Sequence, residues 1–302
     1  MLNIRHYREK TAKQFFLLAL MWLFLLPTQA NAQKATMEWL IFDFAPIYIV
    51  AGQGKNSGFV DGMENYVKER LPQYRHKRTI SNIKRLLAIL KNRRQACASG
   101  LLWSPEQAEY IEYAIPSMFV FPAHFVIKSE RLKSFKPLMN KAGELSLKKM
   151  LKESKLVLGY AKQRYYSTAL APIIKKYANE NNSFASHRQA VTKPLLNMLY
   201  KGRFDYTIAF LEEVSYLSEE LNIPSGSFIT VPIAESNDTQ FSLFGCPKSE
   251  WGRKKISEIN AIIKDARYNP AFYNHYLKWL DEQSRNRYKK LIEKGFENHP
   301  LR

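Results

Sequence analysis

Apolar segments of strand length alternate with amphipathic helices along most of this chain, and that alternation points to an α/β fold. Glu38–Phe44 reads as a first strand, followed by a loop over Ala45–Lys55 punctuated by Pro46, Gly52 and Gly54. Asp61 is expected to cap a helix, with Glu64 three residues on and Met63, Tyr66, Val67 and Leu71 on one face. Arg75–Ile80 is predicted as a second strand. Ser81 is expected to cap the next helix, where Ile83, Leu86, Leu87 and Leu90 follow the i, i+3, i+4, i+7 rule. Ala96–Leu102 is a third strand, and Ser104-Pro105-Glu106-Gln107 has the residues of a capping box with proline at the first helical position. Ser117–Lys128 is extended, and Pro122 in its middle marks an edge or a crossing. Lys155–Tyr160, Phe204–Phe210, Phe228–Ile233 and Gln240–Cys246 are further strands. Asn181–Arg188 is polar and reads as a loop, and the tail is helical.

Two successive sets of strands and helices, closed by terminal helices, imply two lobes, each a mostly parallel sheet flanked by helices. The expected division is 33–120 plus 248–302 for the first lobe and 121–247 for the second, with crossings near Met118–Ala123 and Phe241–Phe244. Ligands of such folds bind outside the carboxyl ends of the strands. That directs attention to the loops Phe44–Tyr48, Gly100–Gln107, Tyr160–Tyr166 and Phe210–Glu213.

Residues 1–32 read as a secretory signal. Arg5, Arg8, Lys10 and Lys13 form a basic head, Phe15–Leu26 is apolar, and Ala30-Asn31-Ala32 fits a small-x-small cleavage site. The apolar run is shorter than the ~20 residues that span a bilayer. The expected location is the periplasm, with cleavage near Ala32; an uncleaved N-terminal anchor is the alternative. The chain carries a formal net charge of +19, but its basic residues are scattered as pairs such as Lys148-Lys149 and Lys175-Lys176. No basic-aromatic motif accompanies them, so nucleic acid is not an expected partner. The six histidines are dispersed, without HExxH or CxxC spacing, and neither metal nor cofactor is expected. Cys97 and Cys246 could bridge in an oxidising compartment. Their apolar, strand-like surroundings instead suggest buried free thiols.

Several segments resemble, in order, the landmarks of extracellular solute-binding proteins of family 3, the binding components of amino-acid importers. Phe44-Ala45-Pro46-Ile47-Tyr48 and Gly58-Phe59-Val60-Asp61 stand where that family has a proline-aromatic loop and a glycine-phenylalanine helix start. Ala98-Ser99-Gly100 followed by Ser104–Gln107, then Ile111–Pro116, Gly202-Arg203-Phe204-Asp205 and Lys278-Trp279-Leu280 continue the series. The resemblance spans nearly all of Thr36–Leu280 and implies a type II periplasmic binding protein-like fold with a ligand cleft between the lobes. It also implies a small-molecule solute, a membrane permease or sensor as partner, a monomer, and no catalysis. The departures matter as much. Gln107 stands where the family's arginine grips an α-carboxylate, a task that suits a guanidinium fork. Lys162-Gln163-Arg164-Tyr165-Tyr166 replaces a glycine-threonine-threonine turn, and Glu212 is an approximate counterpart of an aspartate.

The candidate ligand residues are Phe44, Tyr48, Gly100, Trp103, Ser104, Gln107, Arg164, Tyr165 and Glu212. Phe44, Tyr48 and Trp103 offer aromatic faces; core packing or loop anchoring would equally explain them. Ser104 and Gln107 offer hydrogen bonds, or cap a helix. Arg164 and Tyr165 lie near an expected helix N-terminus, where anions are attracted. Glu212 and Glu213 suit a helix start as well as a ligand. Two alternatives share the fold: a periplasmic sensor feeding a membrane receptor, and an exported dehydratase-like enzyme using Glu212 or Glu213 as general acid. No second catalytic partner is apparent for the latter.

Overall fold

Two mixed β-sheets organise the chain. The computed structural model describes residues 34–296 other than 53, 93, 163, 165, 187–191 and 237–239, so the expected leader over 1–32 lies outside the described residues. In the first sheet, β1 (Thr36–Ile41) lies between β2 (Arg75–Ile80) and β3 (Ala96–Leu101), parallel to both. β4 (Ile111–Tyr113) and β5 (Met118–Val120) follow, and β6 (His124–Lys128) opens the second sheet. There β7 (Leu158–Ala161) lies between β8 (Ser183–Ser186) and β9 (Tyr206–Ala209), parallel to both. β6 runs antiparallel to β9, and β10 (Phe228–Pro232) runs antiparallel to β6. The chain then returns: β11 (Gln240–Pro247) joins the first sheet antiparallel to β3, β4 and β5.

The same winding thus occurs twice, as β2–β1–β3 and as β8–β7–β9. Each begins with a helix-linked strand pair, Phe59–Glu69 joining β1 to β2 and Leu170–Tyr177 preceding β8. The sheets are mixed rather than mostly parallel. A parallel neighbour needs a crossover connection, usually a helix. β6 and β11 arrive by short links without one, and they insert antiparallel. Both faces of each sheet are covered, as the side-chain alternation of a strand requires. Met37, Trp39 and Ile41 of β1 enter one core cluster and Leu40 another. Phe125 and Ile127 of β6 enter a third, and Val126 a fourth.

Several local expectations change. The first helix starts at Phe59 with Gly58 as its cap; Asp61 sits one turn in, and its carboxylate accepts from the backbone N–H groups of Gly58 (2.9 Å) and Ile49 (3.0 Å). Asn82, not Ser81, caps Ile83–Lys91, its Oδ1 accepting from the Arg85 N–H at 2.9 Å. Ser183–Ser186 is a strand within the segment read as a loop. It lies at a sheet edge, where polar side chains can face solvent and leave no apolar pattern to read. Segment 240–247, grouped by sequence with the second lobe, pairs within the first sheet.

The cysteines correct the sequence reading most directly. Cys97 and Cys246 form a disulfide, with an S–S distance of 2.00 Å across 149 residues of sequence. The pairing of Gly245 with Ala98 sets the two cysteines opposite each other on β3 and β11. Their apolar surroundings are real, since both are fully buried, but apolar burial and bridging are compatible when the partner strand supplies the second sulfur.

Candidate ligand cleft

A cavity of about 1130 Å³ opens between the two sheets and draws its lining from both. Its walls come from the ends of strands. Phe42, Phe44 and Ile47 follow β1, Gly100–Leu102 end β3, Phe210 and Glu212 follow β9, and Arg164 follows β7. Val120, Gln240 and Ser242, on the paired crossing strands β5 and β11, close the side where the lobes join.

Local geometry explains how the first-lobe wall is held. The Phe44–Tyr48 loop, which contains a cis Ala45–Pro46 peptide, is closed by a bridge between Phe44 and Tyr48. It accepts two hydrogen bonds from the helix start, Phe59 N–H to the Pro46 carbonyl (2.9 Å) and Val60 N–H to that of Ile47 (3.1 Å). This approach leaves no room for a side chain at position 58, where a Cβ would lie 2.4 Å from the Ile47 oxygen. Gly100 has φ +75°, a left-handed conformation that glycine adopts at little cost.

The second-lobe wall carries the charge. The helix Leu211–Glu220 begins at Phe210, and the Glu213 carboxylate reaches back to accept from the Phe210 N–H at 3.1 Å. The same carboxylate receives a fork from Arg164, Nη1 to Oε1 at 2.9 Å and Nη2 to Oε2 at 2.8 Å. Thr192 donates to Glu213 at 3.2 Å and accepts from Arg164. The Arg164 guanidinium carbon also lies 5.3 Å from the centre of the Phe210 ring, 5.4 Å from Tyr166 and 5.8 Å from Phe44 of the other lobe. Burial opposes the Arg164 charge, but the Glu213 carboxylate more than offsets this and holds its pKa above the ordinary value. The guanidinium is therefore charged and already paired.

Glu212 behaves differently from its neighbour. It is 3% exposed and accepts from the Tyr276 hydroxyl at 3.3 Å. Burial, reinforced by the adjacent Glu213 charge, pushes its pKa up to about 8, so the acid keeps its proton at neutral pH. Tyr276 lies on Pro270–Leu277, a helix packed with the first-lobe core, and its hydroxyl also accepts from the Phe121 N–H at 3.2 Å. One turn further on, Tyr216 packs edge-on against Trp279, ring centres 5.5 Å apart. The Leu211–Glu220 helix therefore touches the first lobe along one side.

Of the residues proposed from sequence, Phe44, Gly100, Gln107, Arg164 and Glu212 come together around this cavity. Tyr48 does not. It is fully buried, and its hydroxyl donates to Glu64 at 3.0 Å and bonds Ser99 in the first-lobe core. Trp103 is 41% exposed outside the lining. Ser104 precedes a single 3-10 turn that Glu106 caps; its hydroxyl accepts from the Gln107 N–H at 3.2 Å, and it lies outside the lining too. Tyr165 lies outside the described residues. Gln107 accepts from the Tyr113 hydroxyl at 3.0 Å, and its amide N–H groups are donors. Sequence reading missed Phe42, Leu102, Phe210 and Ser242; the first three follow strand ends directly, and that position was the available signal. Among the described residues, no group of three or more His, Cys, Asp or Glu is arranged to hold a metal ion.

No protein-family model and no curated protein matches the sequence. Solved structures do match by shape. The probable amino-acid ABC transporter extracellular-binding protein YtmK of Bacillus subtilis superposes with a TM-score of 0.61 at 14% identity, over 82% of this chain and 98% of that one. An ancestral cationic amino acid solute-binding protein gives 0.60 at 13% identity, over 82% and 96%. A histidine kinase sensor domain with similarity to periplasmic binding proteins gives 0.54 at 14%, again over 82% and 96%. Likeness at this identity shows the fold: the chain has the two-lobed architecture of type II periplasmic binding proteins.

Proposed function

We propose that this chain is an extracytoplasmic solute-binding protein that captures a small organic solute by closing its two lobes, and delivers it to a membrane permease. The observation that carries the reading is the cavity itself, lined from both sheets at their strand ends, where ligands of open α/β sheets bind. Contacts between the lobes beside it include Glu212 with Tyr276, Tyr216 with Trp279, Arg164 with Phe44, and Leu211 packed into the first-lobe core. The crossing strands β5 and β11 pair with each other and would serve as the hinge about which the lobes move. The apolar run and cleavage pattern of residues 1–32 support export.

Binding rather than catalysis is favoured by the lining, which among the described residues contains no histidine, cysteine or lysine. Glu212 holds a proton, as a general acid must, but no base or nucleophile among the lining residues is paired with it. A sensor role on the same fold remains the second reading, because a histidine kinase sensor domain shares the architecture. The test is a thermal-shift panel of amino acids, organic acids, polyamines and sugars, with small-angle scattering on every hit. The expected outcome is a raised midpoint together with a smaller radius of gyration. Hits without contraction refute the clamp, as does the absence of any hit once uncharged amides and alcohols have joined the panel.

A further inference from the structure

Among the described residues the charges around the cavity cancel, and its most exposed apolar side chains lie on one lip. Arg164 has both terminal nitrogens on Glu213 and aromatic rings about its guanidinium, so its charge is already compensated before a ligand arrives. Glu212 faces the cavity without a net charge at neutral pH. Asp43 and Arg85 also line it; they carry opposite charges and are exposed, where an ion pair with a ligand is worth little. Gln107 and Ser242 add uncharged hydrogen-bonding groups.

The lip is the second observation. Phe44, Ile80, Ile83 and Leu102 are 39%, 58%, 45% and 44% exposed, and all four line this cavity. All belong to the first lobe, and they account for four of the nine large exposed apolar side chains among the described residues of both lobes. An exposed apolar patch continuous with a cavity is characteristic of a binding surface. Among the described residues, a zwitterion entering here would shed water from an ammonium and a carboxylate without gaining an uncompensated buried charge for either.

We infer that the cleft selects an uncharged solute with an apolar body and a single hydrogen-bonding head, such as an amide or an alcohol, and rejects free α-amino acids. The head reaches Gln107, Ser242 and Glu212, and the body lies on Ile80, Ile83 and Leu102. This inference rests on the binding reading above and specifies its ligand.

The experiment holds the body constant and varies only the charge of the head. Calorimetry at pH 7 compares indole-3-acetamide with indole-3-acetate, tryptamine and tryptophan, and octanamide with octanoate, octylamine and 2-aminooctanoate. In at least one series the amide is expected to bind tenfold or more tightly than all three charged counterparts. Leu102→Asp and Ile83→Asp, both at exposed positions, should each weaken the amide at least tenfold. A charged member that binds as tightly as its amide overturns the inference, as does unchanged amide affinity in both variants. No binding in either series, with a hit in the wider panel of amino acids, acids, polyamines and sugars, overturns the ligand class and leaves the clamp standing. No hit in any of these sets removes both.

Discussion

Replacing Glu212 with glutamine should make the protein more stable, and more so as pH rises. Glu212 is 3% exposed, and its acid holds a proton up to about pH 8, whereas an ordinary glutamate in the unfolded chain releases it near 4.5. Between those values the folded state binds one proton more than the unfolded state. Wild-type stability therefore falls by about 1.4 kcal/mol for each pH unit climbed through the window, and levels off above about 8. Summed across the window this is roughly 5 kcal/mol. An amide is a fixed copy of the protonated acid. Its carbonyl still accepts from Tyr276, and it does not titrate. His76, His124 and His275 have pKa values lowered by burial, His124 to about 4, and they act in the opposite direction below pH 6.5. They are common to both proteins and cancel in the difference. Urea unfolding of wild type and Glu212→Gln at pH 5, 6.5, 8 and 9 reads that difference. It should widen by about 2 kcal/mol between pH 6.5 and 8 and stay constant above. A difference that does not change with pH would show that Glu212 is ionised in the folded chain, and would remove the neutral group from the cleft.

Three further outcomes follow from the geometry. Arg164→Met leaves the Glu213 carboxylate buried without its partner and should cost about 3–5 kcal/mol by urea unfolding; adding Glu213→Gln, which keeps the bond to Phe210, should recover most of it in a double-mutant cycle. Replacing Cys97 and Cys246 together with serine reopens a loop of 149 residues and should cost at most about 5 kcal/mol, read as a lower urea midpoint that reductant no longer changes. Gly58→Ala places a Cβ against the Ile47 carbonyl and should lower stability by about 1–3 kcal/mol; crystallography of the variant should find the Phe44–Tyr48 loop displaced from the cleft.

Much of this molecule follows from local pattern. Ile83, Leu86 and Leu90 repeat with helical period and do form one helix, with Leu86 and Leu90 buried. Arg75–Ile80 forms its strand with the bounds read from the sequence, and Pro122 falls in the gap between β5 and β6. Strand and helix periods are short-range properties, so the α/β class and the loops at the strand ends could be read from the chain alone. Tertiary contact decided the rest. Tyr48 and Phe44 lie four residues apart in one loop, yet one is locked to Glu64 in the core and the other lines the cleft. Cys97 and Cys246 became partners because a strand returning from the second lobe inserted beside β3. Arg164 paired its charge with Glu213, 49 residues away, and Glu212 kept its proton because burial at the lobe junction outweighs the Tyr276 hydrogen bond, which favours the ionised form. Charge state and pairing depend on which groups packing brings within a few ångströms of one another, and no periodicity along the chain encodes that distance.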